Sequence, residues 1–145
     1  MASAAGNSLL QSVRQIFKYL TSGPGFDKVM KTARVVSAEP GRCKFEMKVE
    51  PDHTNRGGTL HGGLTATVID TVTTAALMTA EGGSPGVSVD LNVTYIRAAK
   101  EGETVTFDGR VSKLGKRLAF TTCDVTNESG ALIAQGRHTK YVGGS

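Results

Sequence analysis

The sequence predicts an α+β domain in which one antiparallel sheet wraps around a single apolar helix. Three observations carry that reading. The stretch 61–80 holds an apolar stripe, no turn signal and one charged side chain, Asp70. Two β-type runs precede it and four follow it, each bounded by Gly, Pro, Asn or Asp clusters. The chain has 145 residues, 39% of them hydrophobic and 21% charged, enough for one core and too few for two, so 1–145 is a single domain.

The elements follow in order. Ser8 is placed to cap a helix whose Leu9, Val13, Ile16, Phe17 and Leu20 recur at helical spacing. Gly23-Pro24-Gly25 stops it, so 1–26 forms an N-terminal helical extension docked on the body, and a short helical turn follows. Residues 31–38 form a first strand, closed by Glu39-Pro40-Gly41. In the second, Cys43, Phe45, Met47 and Val49 alternate with Arg42, Lys44, Glu46 and Lys48, which gives one wet face. The Pro-Gly turn makes the two a hairpin.

The 61–80 segment is ambiguous in propensity, because its six threonines suit strands. Length decides for a helix, since twenty residues exceed a strand several-fold. With almost no charged face, this helix must be deeply buried, and a second copy of the chain is needed to cover what the sheet leaves open. After the loop 81–86 come strands at 87–97, 103–113, 117–127 and 131–141.

Composition excludes several classes. The net charge of +4 is compatible with an anionic ligand, yet there is neither a dense basic stripe nor an RNA-binding aromatic pattern, so nucleic acid is not expected. His53, His61 and His138 have no zinc-like spacing, and no metal site is expected. A G-x-S-x-G elbow is absent, which argues against a serine hydrolase. Cys43 and Cys123 fall within strands as small buried hydrophobes, in keeping with a reducing compartment. No run reaches the roughly 20 apolar residues of a membrane span. The expected location is cytoplasmic; a mitochondrial one stays open because 1–26 carries Arg14 and Lys18 but no acid.

Two features bear chemistry. Asp70 is the only charge between Arg56 and Glu81, set among Val68, Ile69 and Val72. A carboxylate there is either hydrogen-bonded to neighbouring threonines or functional, since burying it alone costs several kcal/mol. The second is Gly57-Gly58-Thr59-Leu60-His61-Gly62-Gly63, where the free amides of a helix start can receive an oxyanion, or which is an ordinary Gly-rich turn. Gly62 and Asp70 are eight residues apart, roughly 12 Å along a helix, whereas both must lie within about 3 Å of one reacting carbon. Two antiparallel copies of the helix across a two-fold axis solve this, each site taking Gly62 from one subunit and Asp70 from the other.

The run N-R-G-G-T-L-H-G-G-L-T-A-T-V-I-D at 55–70, with G-V-S-V-D-L-N-V-T-Y at 86–95, resembles the hotdog-fold acyl-CoA thioesterases of the phenylacetate-pathway type. The likeness extends over nearly the whole chain. It implies hydrolysis of medium- to long-chain fatty acyl-CoA to fatty acid and CoA, without metal or redox cofactor, by a homo-oligomer built as a dimer of dimers. Asp70 matches the acid that activates water or attacks the thioester. Gly62 and Asn55 match the groups that polarise its carbonyl, His61 a histidine near the leaving sulfur, and Ser88 a residue that orients water. Simple alternation opposes the last role: Val87, Val89, Leu91, Val93 and Tyr95 share one strand face and Ser88 takes the other, unless a bulge or a second subunit intervenes.

For coenzyme A the resemblance implies Asp90, Tyr95, Ile96, Arg97, Ala98, Ala99 and Lys100, then Lys113, Leu114, Gly115, Lys116, Arg117 and Leu118, with Tyr141. Arg137 and Lys140 join the basic residues of these segments in a phosphate-binding rim near one sheet edge. Two alternatives are kept beside hydrolysis: a hydratase or dehydratase using His61 and Asp70 as an acid–base pair, and an acyl-CoA-binding regulator without turnover.

Overall fold

The computed structural model describes residues 4–144; residues 1–3 of the N-terminal extension and Ser145 lie outside the described residues. Helix α1 (Ala4–Ser22) is followed by a 3₁₀ turn at Phe26–Met30, then by β1 (Arg34–Glu39) and β2 (Arg42–Lys48). A second 3₁₀ turn (Pro51–His53) leads to α2 (Gly62–Thr79). Four strands complete the chain: β3 (Val87–Tyr95), β4 (Thr104–Leu114), β5 (Leu118–Thr126) and β6 (Leu132–Tyr141). All pairings are antiparallel, in the order β1-β2-β4-β5-β6-β3. Every expected element is present. Ser8 is not the helix cap, because α1 already begins at Ala4 and Ser8 lies inside it.

Helix α2 is the core of the domain. Val68, Ile69, Val72, Ala76 and Leu77 are fully buried, and Phe45, Met47, Val105, Phe107 and Val125 of the sheet are buried with them. Its threonines are accommodated by back-bonding. Thr65, Thr67 and Thr73 donate to the carbonyls of His61, Gly63 and Ile69, four residues earlier, so the hydroxyls cost the helix no unpaired polar group. Thr79 ties the helix end to the β1–β2 turn: it donates to the Glu39 carbonyl and accepts from the Gly41 amide. Gly41 has φ +79°, which the second central position of a Pro-Gly turn requires.

Two sheet glycines let the helix approach. A Cβ on Gly109 of β4 would lie 2.8 Å from Val72 Cγ1 and 3.1 Å from the Val72 backbone. A Cβ on Gly136 of β6 would lie 2.6 Å from Ile69 Cγ2. Helix α1 packs beside α2 on the same face of the sheet through Val13 and Phe17, whose ring meets Phe45 edge-on at 5.0 Å between centroids. Cys43 and Cys123 are both buried and unbridged, and burial pushes the Cys43 thiol up to about 12 and Cys123 up as well, as expected of inert core residues.

The edge strand β3 differs from the rest. Its pairing with β6 slips between Ser88 and Asp90, so Ser88 stands opposite Lys140 and Asp90 opposite Thr139. Val89 is the extra residue of this bulge. Facing residues of antiparallel strands share a side, so Ser88 joins Leu91 and Val93 on the inner face. Val87, opposite the exposed Tyr141, turns outward. The strict alternation expected for 87–95 is thereby corrected.

Candidate active site

The inner face of β6 meets α2 with a polar row. Gly136, His138 and Lys140 are buried and alternate with exposed or half-buried residues. His138 is fully buried, with Nε2 2.7 Å from Ser88 Oγ and Nδ1 2.9 Å from Thr73 Oγ1. Thr73 already donates its hydroxyl proton to Ile69 O at 2.8 Å, so His138 Nδ1–H must be the donor to Thr73. Nε2 then accepts from Ser88, which leaves the Ser88 oxygen free to receive a further hydrogen bond. Asp70 Oδ1 lies 3.8 Å from His138 Nδ1, and Thr74 Oγ1 donates to it at 3.5 Å.

Burial pushes the His138 pKa below 6.5 and Lys140 adds to the shift, while Asp70 and Asp90 pull the other way without cancelling it. The folded state therefore binds fewer protons at this ring than the unfolded state does between the lowered value and 6.5. Stability is full above that window and is lost as pH falls through it. We expect the melting temperature to drop between about pH 7.5 and pH 5.5, and His138→Gln to flatten that dependence. An equally steep profile in the variant would assign the drop to other groups.

Asp70 is not sealed in the core: its side chain is 48% exposed. It opens into a cavity of about 240 Å³ between the two helices, lined by Val13, Ile16, Phe17 and Leu20 of α1 and by Thr71, Thr74, Ala75 and Met78 of α2. Lys140 also reaches this cavity. It is buried on the inner face, with its ammonium 2.7 Å from Thr74 Oγ1. Burial pushes its pKa down, and Asp70 opposes that shift. It therefore does not belong to an outer phosphate rim. Arg137, three positions earlier, is exposed on the opposite face.

A second groove, of about 340 Å³, gathers the other half of the expected site. Asn55, Gly62 and Tyr95, Ile96, Arg97, Ala98 and Ala99 line it together. Gly62 is the first residue of α2, and its amide has no acceptor among the described residues. The Tyr95 hydroxyl donates to Gly62 O at 2.6 Å, which sets the phenol beside the helix start. Asn55 Oδ1 accepts from the amides of Gly57 and Thr59, and its Nδ2 donates to Thr59 Oγ1. His61 is the helix cap: Nδ1 accepts from the Gly63 amide at 2.8 Å, so the neutral ring carries its proton on Nε2. His53 is by contrast a buried loop clamp, accepting from the Glu50 amide through Nδ1.

Within one chain the expected residues thus form two groups. Asp70 and Lys140 line the first cavity, with Ser88 tied to this side through His138, and Gly62, Asn55 and the 95–99 segment line the second. The expected single basic edge is also divided. Thr106 pairs with Thr126 near the 95–100 end, and Leu114 pairs with Ala119 at the other. Eight residues of β4 separate them, about 26 Å at 3.3 Å each. Lys113, Leu114, Gly115, Lys116, Arg117 and Leu118 therefore lie at the opposite end of the sheet from Tyr95 and Lys100. Asp90 and Tyr141 are exposed near the start of β3, on the side of that hairpin. The residue that sequence reasoning missed is His138. Its place between Gly136 and Lys140 on an inward-facing register was the available clue.

Comparison with known proteins shows the family and the fold. Residues 57–134 match the thioesterase superfamily model. The chain is 53% identical to human acyl-coenzyme A thioesterase 13 over 137 residues, covering 94% of this chain and 98% of that one. Among solved structures, thioesterase superfamily member 2 from zebrafish superposes with a TM-score of 0.90 at 56% identity, covering 92% of this chain and 98% of that one. The mouse protein of the same name gives 0.86 at 48% identity over 99% and 100%. The sheet wrapped around a central helix is the hotdog fold, and the chain belongs to the thioesterase superfamily.

Proposed function

We propose that the protein hydrolyses fatty acyl-CoA to free fatty acid and CoA, at sites shared between two copies of the chain. The observation that carries this reading is the opening of the Asp70 carboxylate into an otherwise largely apolar cavity between α1 and α2. A carboxylate at the mouth of an apolar pocket suits a reaction centre joined to a hydrocarbon chain. The names of the relatives support acyl-CoA as the class of substrate.

In the reaction proposed, Gly62 N–H and Asn55 polarise the thioester oxygen, and a water held by Ser88 and Asp70 attacks the carbonyl carbon. Asp70 takes the water's proton, the C–S bond breaks, and the thiolate leaves beside His61. Water and protein groups suffice for each step, and no cofactor enters the reading. The separation of the two cavities supports an antiparallel pair of α2 helices, which brings Gly62 of one copy to Asp70 of the other. The free edge of β3, with Val87 and Val89 exposed by 64% and 59%, supports pairing there. The same pairing would bring the 113–118 hairpin of one copy towards the 95–100 segment of the other, completing a binding site for CoA phosphates. A dimer of dimers follows the same reading, as does a reducing compartment, cytosol or mitochondrial matrix. Among the described residues no helix is long and apolar enough to cross a membrane.

Thiol release measured over a series of acyl-CoAs of increasing chain length tests the proposal. The expected result is kcat/KM rising from short to medium and long chains as the α1–α2 cavity fills. A flat series would overturn the chain-length preference. Binding without release at every length would overturn hydrolysis in favour of the regulator reading, and hydration of an enoyl-CoA without CoA release would identify a hydratase.

A further inference from the structure

Lys140 is a buried cation that the reaction proposed above does not use. It is 5% exposed, and its ammonium makes its one side-chain hydrogen bond among the described residues to Thr74 Oγ1 at 2.7 Å. An ammonium has three donors and no acceptor, so Thr74 must accept from it. The Thr74 proton is then free to turn to Asp70 Oδ1, 3.5 Å away and one helical turn earlier. Lys140, Thr74 and Asp70 line one cavity. Burying a cation in a largely apolar wall is costly, and a methionine would fill the same place without that cost. The carboxylate is what the charge faces.

We propose that Lys140 is a positioning residue for Asp70: through Thr74 it turns the carboxylate into the cavity and fixes its orientation. This rests on Asp70 being the reacting carboxylate. The charged and titratable groups around it are few. His138 and Lys140 face it from β6, Asp27 of the first 3₁₀ turn lines the same cavity, and Asp90 of β3 acts on His138. With His138 held neutral by burial, Lys140 is the cation of this group. Removing it frees the Thr74 hydroxyl, and with it the orientation of the carboxylate.

The test compares Lys140→Met, Thr74→Val, Thr74→Ser and Asp70→Asn in the full chain, following CoA release together with the melting temperature. Lys140→Met is expected to lower kcat about tenfold, within the range of couplings inside one hydrogen-bond network. KM should stay within a few-fold, as expected of a group that orients the reacting carboxylate rather than binding substrate. Its melting temperature should rise, because a buried charge is gone. Thr74→Val should lower kcat, and Thr74→Ser, which keeps the hydroxyl, should restore it. A merely structural lysine would behave otherwise, losing stability and leaving kcat unchanged. If Asp70→Asn is inactive while Lys140→Met keeps wild-type kcat, the Lys140 role is overturned and the Asp70 role stands. An active Asp70→Asn overturns the underlying reading itself. Should Lys140→Met fail to fold, the threonine pair decides: equal turnover in Thr74→Val and Thr74→Ser overturns the relay.

Discussion

Asp70→Asn is expected to reduce kcat at least about a hundredfold while leaving KM within a few-fold, the pattern of a lost proton-transfer group rather than a lost binding contact. The amide is nearly isosteric, and the side chain is half exposed in its cavity, so the fold should tolerate it. Unchanged kcat would remove Asp70 from the chemistry. The same variant reports on the shared site when mixed with Gly62→Pro. Proline suits this position because Gly62 is the first helical residue and His61 before it is extended, with ψ 130°. It removes the amide proposed to receive the thioester oxygen. Each variant alone should be inactive. Random mixing should restore about a quarter of wild-type activity, because half the dimers are mixed and each mixed dimer regains one intact site. No recovery in confirmed mixed dimers would overturn the shared site.

The largest effect expected on stability is at Gly109. Its added methyl group would press on Val72 Cγ1 and on the Val72 backbone, which cannot move without shifting α2. Gly109→Ala should cost about 1–3 kcal/mol, the usual range for overpacking a tight core. At Gly136 the closest atom, Ile69 Cγ2, belongs to a buried side chain that is stiff in a helix, but the nearest contacts include no α2 backbone atom, so Gly136→Ala should cost somewhat less than Gly109→Ala. Urea unfolding measures both. A larger loss at Gly136 would show that side-chain adjustment, rather than backbone displacement, limits the helix–sheet approach.

The bulge at Val89 shows how far alternation carries. Period two correctly marked β3 as a strand, but one inserted residue reverses the faces on either side of it, and no local pattern in Val87-Ser88-Val89-Asp90 announces the slip. Lys140 is a different case. Its separation from Arg137 by three positions on one strand already places them on opposite faces, so the error of grouping them lay in counting charges without counting register. The basic segments at 95–100 and 113–118 were separately legible, whereas their distance depends on which strand ends the sheet brings together.

The sequence by itself determined the six strands, the apolar helix, the placement of Gly62 and Asp70 too far apart to serve one carbon, and the family pattern at 55–70. These are local periodicities, turn chemistry and spacing along one element, all encoded within a few residues of each other. Only the tertiary structure decided that Ser88 faces inward, that His138 joins it to Thr73 beside Asp70, and that Lys140 points at Thr74 across the helix–sheet interface. Those contacts join residues 50 or more positions apart, and their existence depends on strand register and on how closely α2 can approach Gly109 and Gly136.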